Sequence, residues 1–148
     1  MTEKHNELHM EFPSLSQNES LARCITAAFV AQLNPTIEEL SDIRTAVSEA
    51  VTNAIIHGYE AGQGTVCMDL ALDGDTLTVT VADTGCGIPD IALARQPFYT
   101  TRPELERSGM GFTVMEAFME EVDVVSAAGQ GTTVTMKKQI GKPIEEDA

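Results

Sequence analysis

The chain has 148 residues, 43% of them hydrophobic, which suffices for one domain with a buried core and not for two. Its 23 acidic residues outnumber 9 Lys and Arg, and the formal net charge is −14. Such a surface repels nucleic acid and anionic membranes, so neither is expected as a partner. The three cysteines are scattered, the N-terminus is polar and no run is long enough to span a membrane. We therefore expect a cytoplasmic protein with reduced thiols and no signal peptide.

The first third of the sequence predicts one strand and two helices. Alternating apolar residues indicate a short strand at Leu8, Met10 and Phe12. Ser16 and Glu19 form a capping-box pattern, which predicts the start of a helix. Its apolar positions have helical spacing and are expected to face the core: Leu21, Ile25, Ala28, Phe29 and Leu33. After Pro35, a second capping box at Thr36 and Glu39 predicts a longer helix that ends near Gly58.

The remaining sequence predicts four strands, a third helix and one long irregular segment. A period of two indicates a hairpin that turns at Asp73–Asp75, and an irregular stretch follows from Asp83 to Ser108. A helix and two strands, 122–125 and 132–138, complete the chain. This order predicts an α+β sandwich, a mainly antiparallel mixed sheet covered on one face by helices. We expect a single domain over residues 1–140 and a flexible tail at 141–148.

The second predicted helix carries a carboxylate and an amide one turn apart. Glu49 and Asn53 stand at i and i+4, so they share a face about 6 Å apart along the axis. A carboxylate beside a neutral amide oxygen can accept a proton and hold Mg²⁺. A solvated polar stripe has the same spacing. The small apolar residues around this pair, Ala50, Ala54 and Ile55, favour a functional interpretation.

A second motif, Asp83-Thr84-Gly85-Cys86-Gly87, follows directly on a predicted strand. A carboxylate at a strand end can accept a hydrogen bond from an exocyclic amine such as that of adenine. The glycines at 85 and 87 let the backbone approach a ligand closely. An ordinary glycine turn explains the same residues, and the dinucleotide fingerprint is absent because a third glycine and a long helix do not follow.

Two further motifs stand later in the chain. Arg107, Ser108, Gly109 and Gly111 lead into the third predicted helix, whose N-terminus is suited to bind phosphate. A plain N-cap with glycines is the alternative. Gly131-Thr132-Thr133 begins the last strand, where a simple turn into a strand is the alternative.

Taken in order, these four motifs resemble the GHKL ATPase superfamily, which includes gyrase, Hsp90, histidine kinases and MutL. Three longer segments are similar to the anti-sigma factor kinases of spore-forming bacteria: QNESLAR, SEAVTNAIIHGY and ARQPFYTTRPELERSGMGF. The resemblance extends from about Leu8 to Lys138. It implies the Bergerat α/β sandwich fold.

The resemblance also implies a role for each motif residue. Glu49 matches the general base and Asn53 the Mg²⁺ ligand, while Asp83 matches the acid that reads adenine. Other positions match residues beside the nucleotide, namely Gly85, Gly87, Gly109, Gly111 and Thr132. Arg107 and Ser108 belong to a segment, Phe98–Ser108, that matches the ATP lid. Arg23 matches a position on the sigma-binding face.

By this resemblance the protein would be a homodimer that binds a sporulation sigma factor. It would also use ATP, with ADP as product, to phosphorylate a serine of an anti-anti-sigma factor. Three alternatives remain: a sensor histidine kinase domain, a non-catalytic nucleotide-gated sigma-binding module, and the general-stress relative of the same family. The histidine kinase is disfavoured because about 15 residues precede the first helix and none forms a helix with an acceptor histidine.

Overall fold

A computed structural model describes residues 5–58, 64–85, 111–127 and 130–141. Its strands are β1 His5–Pro13, β2 Thr65–Asp73, β3 Thr76–Asp83, β4 Glu121–Ala127 and β5 Gly131–Gln139. Its α-helices are α1 Gln17–Val30, α2 Ile37–Asn53 and α3 Gly111–Phe118. A 3₁₀ turn, Ala31–Leu33, follows α1, and a π-helical turn, Ala54–Gly58, continues α2.

The five described strands form one sheet in the order β1-β2-β3-β5-β4. All four neighbouring pairs are antiparallel. In the three central strands, β2, β3 and β5, alternate residues face the helices and are buried, as in Val66, Met68, Leu70 and Leu72 of β2. The opposite face carries polar or small residues, which is the usual pattern for an antiparallel sheet covered on one side. The predicted α+β fold with helices on one face is confirmed.

Helix α2 forms the centre of the helical layer. It packs against both α1 and α3 and contacts β3. Its core-facing residues are at most 3% exposed: Ile43, Ala46, Val47, Ala50, Val51 and Ala54. Five of these six are alanine or valine, and small side chains of this kind allow a helix to lie close to its neighbours. The position of α2 is therefore fixed from several sides.

The two predicted capping boxes have different outcomes. At α2 the box is complete, since the N–H of Glu39 donates to Thr36 Oγ1 (3.0 Å) and the N–H of Thr36 donates to Glu39 Oε1 (2.9 Å). At α1 the prediction was wrong, because the side chain of Ser16 accepts no capping hydrogen bond. The carboxylate of Glu19 lies instead 2.8 Å from Nε of Arg23, one turn further along the helix.

The buried face of α1 also differs from the prediction. Ala22, Thr26, Phe29 and Val30 are buried, whereas Leu21 is 48% exposed and Ala28 is exposed. Thr26 can occupy a core position because its hydroxyl donates to the carbonyl of Ala22 (2.8 Å) and leaves no donor unpaired. Because Thr26 is polar but faces the core, the apolar residues of α1 alone did not indicate which face of the helix is buried.

None of the helices in the described ranges is long and apolar enough to cross a membrane. The segment predicted as a flexible tail, apart from Gly141, lies outside the described residues, so both that expectation and the single-domain boundary stay predictions.

Candidate functional site

Asp83 ends β3 on the face of the sheet that the helices cover. Its side chain is 8% exposed, and the residue lies opposite Thr132 of β5 in the strand register. The backbone N–H of Gly85 donates to Asp83 Oδ1 (2.9 Å), and the backbone N–H of Thr132 donates to the same carboxyl group. Asp83, Gly85 and Thr132, which the sequence predicted in two separate motifs, are therefore neighbours.

Burial dominates the electrostatics of this carboxyl group. Loss of hydration raises the pKa of Asp83 above the usual range for an aspartate. The hydrogen bonds from Gly85 and Thr132 act in the opposite direction and lower the pKa, but they do not offset the burial. A carboxylate that is short of hydrogen-bond donors gains from a ligand that brings one.

Thr132 belongs to a small hydroxyl network at the same strand ends. It is 9% exposed, and its Oγ1 lies 2.8 Å from Oγ of Ser126 in β4. Ser126 Oγ also donates to the carbonyl of Gly131 (3.0 Å). This network fixes the Thr132 side chain beside Asp83. Sequence analysis missed Ser126, because a lone serine in a predicted strand carries no motif signal.

Gly131 permits the close approach of β5 to the end of β3. Its φ is +95°, and a Cβ placed there would lie 2.1 Å from the carbonyl oxygen of Asp83 and 2.6 Å from Cα of Thr84. No side chain fits at either distance, and a positive φ favours glycine. The alternative that Gly131-Thr132 is only a simple turn into a strand is therefore insufficient, because Gly131 sets the distance between the Asp83 backbone and β5.

Glu49 and Asn53 lie one turn apart on α2, as predicted, and both are half-buried. Asn53 is the last α-helical residue, and the wider π-helical turn begins at Ala54. This turn packs against β3 and β5, the strands that carry Asp83 and Thr132. Widened turns of this kind are frequent at functional sites because they redirect the side chains around them.

Helix α3 begins at Gly111, one of the predicted phosphate-binding glycines, and packs against α2. Phe112, Met115 and Met119 anchor it in the core, each at most 6% exposed. The other residues predicted for phosphate or nucleotide contact, Gly87, Arg107, Ser108 and Gly109, lie outside the described residues, as does the predicted lid.

Arg23 lies on α1, in a different environment from the strand-end residues. Its Nε lies 2.8 Å from Oε2 of Glu19, and both atoms are buried. The contact is an ion pair, but its geometry is not that of a hydrogen bond. Its Nη2 donates weakly to Ser20 Oγ (3.4 Å). Arg23 also lines a groove of about 340 Å³ along the first turns of α2, together with Ile37, Leu40, Ser41, Arg44, Thr45 and Ser48.

Comparison with known proteins places this fold in a class. The model of the histidine kinase-like ATPase domain matches residues 12–138. Two solved structures share the fold. The RsbU and RsbW domains of a Mycobacterium tuberculosis protein have a TM-score of 0.67 and 23% identity, over 93% of this chain and 33% of that chain. The histidine kinase domain of a blue-light activated kinase from Erythrobacter litoralis has a TM-score of 0.56 and 21% identity, over 84% and 62%.

Curated relatives define the particular family. The anti-sigma F factor of Geobacillus kaustophilus is 58% identical over 138 residues, and those of Bacillus licheniformis and Bacillus subtilis are 55% and 54% identical. Each alignment covers 93% of this chain and 94% of the relative. The chain belongs to the anti-sigma F factor family, within the histidine kinase-like ATPase domains. The predicted resemblance is confirmed.

The raised pKa of Asp83 predicts how the stability of the ligand-free protein depends on pH. The folded state holds this proton more tightly than the unfolded state, so the Asp83 contribution to the free energy of unfolding falls as pH rises from about 3.8 through the folded pKa. We expect Asp83→Asn to show a smaller fall than the wild type. Urea unfolding at a series of pH values between about 4 and 8 measures this difference.

The exposed carboxyl of Asp123 on β4 provides the control for that experiment, because Asp123→Asn removes the same charge without altering a buried group. Equal slopes of unfolding free energy against pH in wild type and Asp83→Asn would contradict the assignment of a buried, proton-retaining carboxyl to Asp83.

Proposed function

We propose that this chain is an anti-sigma factor that binds a sporulation sigma factor and phosphorylates a serine of an anti-anti-sigma factor with ATP. The observation that carries the proposal is that Asp83 and Thr132 lie opposite each other on β3 and β5, the two strands that the π-helical turn directly after Asn53 contacts. The names of the relatives supply the partner class. A sigma factor acts with RNA polymerase, so we propose a cytoplasmic location. We also propose a homodimer, because the resemblance to the anti-sigma factor kinases implies one.

The residues around Asp83 fit an adenine base. A buried carboxylate with two backbone donors retains further acceptor capacity, and an exocyclic amine can fill it. Thr132 lies beside the carboxyl group with its side chain held by Ser126. In the proposal Asp83 accepts the amine, while Gly85 and Gly87 let the backbone pass close to the nucleotide and Thr132 closes the edge of the base.

The residues of α2 fit Mg²⁺ bound together with phosphates. No cluster of three or more His, Cys, Asp or Glu in the described residues could hold a metal ion alone. Mg²⁺ in kinases and ATPases is commonly held by one or two protein oxygens and by the phosphates themselves. We assign the protein ligand to the Asn53 amide oxygen. The phosphate contacts are assigned to Gly109, Gly111, Arg107 and Ser108.

The spacing of Glu49 and Asn53 on α2 suggests a separate role for each residue. ATP would give its γ-phosphoryl group to the serine oxygen and leave as ADP, and Mg²⁺ held by Asn53 would supply neutralisation of the phosphate charge. Glu49, one turn from Asn53, orients the serine hydroxyl of the partner protein and accepts its proton at a carboxylate oxygen. The neighbouring apolar residues, Ala50 and Ala54, exclude water from the helix face behind the pair. Incubation of the protein with labelled ATP and the anti-anti-sigma factor tests the proposal directly.

Asp83→Asn tests the assignment of the base-reading residue. The loss of one buried hydrogen bond to a charged acceptor costs about 1.5–3 kcal/mol, roughly ten- to a hundredfold in affinity. We expect ATP and ADP to be weakened alike, because both carry the same base. Calorimetric titration of both nucleotides measures the effect, and unchanged affinity in a folded variant would remove Asp83 from the site.

Glu49→Gln and Asn53→Ala should fail in different ways. Glu49→Gln keeps the shape of the side chain and removes the base, so nucleotide and sigma binding should persist while transfer to serine falls about 10²–10⁴-fold. Asn53→Ala should lose the metal ligand and weaken both Mg²⁺-dependent ATP binding and transfer. Wild-type transfer by Glu49→Gln would exclude Glu49 as the base and would favour the non-catalytic, nucleotide-gated binder.

Arg23→Glu tests the assignment of the sigma-docking residue. The chain has only 9 Lys and Arg residues, and this variant reverses the charge of one that lines the groove between α1 and α2. We therefore expect loss of sigma capture in a pull-down, with unchanged ATP affinity. Glu19→Ala is the matched control, because it breaks the ion pair and leaves Arg23 in place. If Glu19→Ala lost sigma capture equally, the arginine would act through the structure of α1 and not through contact.

A further inference from the structure

Ser126, Thr132 and Asp83 form a row across three neighbouring strands. Ser126 of β4 lies opposite Thr132 of β5, and Thr132 lies opposite Asp83 of β3. Residues that lie opposite each other in a ladder point to the same face of the sheet, and on this face Asp83 and Thr132 are both buried. Ser126 is the member of the row that has no part in the proposed adenine contact.

The number of hydroxyl protons determines the direction of the hydrogen bonds in this row. Ser126 Oγ lies 3.0 Å from the carbonyl oxygen of Gly131 and 2.8 Å from Thr132 Oγ1. A carbonyl oxygen can only accept, so Ser126 donates its single O–H to Gly131. The contact between the two hydroxyls is then a hydrogen bond only if Thr132 donates to Ser126. Because β5 lies between β3 and β4, Thr132 donates away from Asp83.

This direction makes the Thr132 oxygen an acceptor for a ligand. A threonine hydroxyl carries one proton and two lone pairs, and without a fixed partner it rotates to suit its neighbours. Here Ser126 takes the proton, so any further hydrogen bond at Thr132 Oγ1 has to be donated by the other group. The carboxylate of Asp83 also accepts only. Asp83 and Thr132 thus offer acceptors alone at the place proposed for the base.

We propose that Ser126 is a positioning residue that makes the base site selective for a 6-amino purine over a 6-oxo purine. The inference rests on the proposed nucleotide site and names a determinant of its base specificity. A 6-amino group brings N–H donors to the acceptors of Asp83 and Thr132. A 6-oxo group brings an acceptor, which would face other acceptors and stay unpaired. A buried polar group without a partner is costly, and a site built for a donor rejects an analogue that lacks it.

A purely structural role for Ser126 is the alternative, because its hydroxyl also links β4 to β5. These two strands are already paired over the whole length of β4, so one side-chain link adds little to their association. The close approach of β5 to Asp83 depends on the missing side chain of Gly131. The backbone N–H of Thr132 also donates to the Asp83 carboxyl group without help from Ser126. Replacement of Ser126 should therefore release the Thr132 hydroxyl and leave Thr132 beside Asp83.

Inosine triphosphate is the probe, because it differs from ATP in carrying a 6-oxo group and the N1 proton that accompanies it. In calorimetric titrations with Mg²⁺ we expect the wild type to bind ATP more tightly than inosine triphosphate, by about tenfold or more. Ser126→Ala should lower this affinity ratio by about fivefold, because the released Thr132 hydroxyl can turn its proton toward the 6-oxo group. Ser126→Thr keeps a hydroxyl at this position and should keep the wild-type ratio.

A double-mutant cycle distinguishes an action through Thr132 from any other action of Ser126. In a Thr132→Val background the hydroxyl that Ser126 positions is absent, so Ser126→Ala should no longer change the ratio. Thr133→Val is the matched control, because Thr133 is the next residue of β5 and points to the opposite face of the sheet. It should leave both the ratio and the effect of Ser126→Ala unchanged. Ser126→Cys keeps the side-chain volume with a weaker donor and repeats the test if Ser126→Ala unfolds the protein.

The possible results separate this inference from the function on which it rests. A folded wild type that binds neither ATP nor ADP would overturn the proposed nucleotide site and this inference together. An ATP-binding wild type that does not discriminate against inosine triphosphate, or whose discrimination Ser126→Ala leaves unchanged, would overturn this inference alone. An equal effect of Ser126→Ala in the Thr132→Val background would also overturn it, because Ser126 would then act on the base by a route that does not pass through Thr132.

Discussion

The packing of α2 between two helices and the sheet is the constraint on which the site depends. Six residues of α2 and its π-helical continuation are almost fully buried, and helical geometry then fixes the direction of every other side chain on it. Glu49 precedes buried Ala50, and Asn53 precedes buried Ala54. The pair therefore lies half-buried at the margin of the core, on a helix whose position the core determines.

The strand ends are held by a different kind of contact. At Gly131 the backbone of β5 comes so close to Asp83 and Thr84 that a methyl group has no space. That proximity brings the Thr132 N–H to the Asp83 carboxyl group and buries the carboxyl group at the same time. The unbound protein thus carries a carboxyl group whose ionised form is poorly solvated. A local instability of this kind is common at binding sites, because the ligand supplies the hydrogen bonds that the folded chain lacks.

Sequence reasoning recovered those features that depend on local pattern. The β2–β3 hairpin turns at Gly74 with φ of 61°, and the Thr36–Glu39 capping box begins α2. The i, i+4 relation of Glu49 and Asn53 needs only helix geometry. Features that depend on which of several partners a side chain takes were missed. Thr26 is buried with its hydroxyl bonded to the carbonyl of Ala22, and Glu19 pairs with Arg23 in place of capping, although both partners lie only one turn away. Ser126 of β4 reaches Thr132 of β5, and only the pairing of these two strands brings the residues together.

The few basic residues of the chain have different environments on the helical side of the molecule and on the solvent face of β1. Lys138 is committed to the fold, since its Nζ donates to the carbonyl of Phe118 (2.9 Å) and lies 4.0 Å from Oδ2 of Asp42. On the groove between α1 and α2, by contrast, Arg44 has no ion pair or hydrogen bond to the rest of the described chain, and Arg23 is balanced by Glu19 alone. On the solvent face of β1 the cationic groups are histidines, each already shared between two carboxylates. Arg23 and Arg44 line the same groove, so positive charge is concentrated there and not along β1.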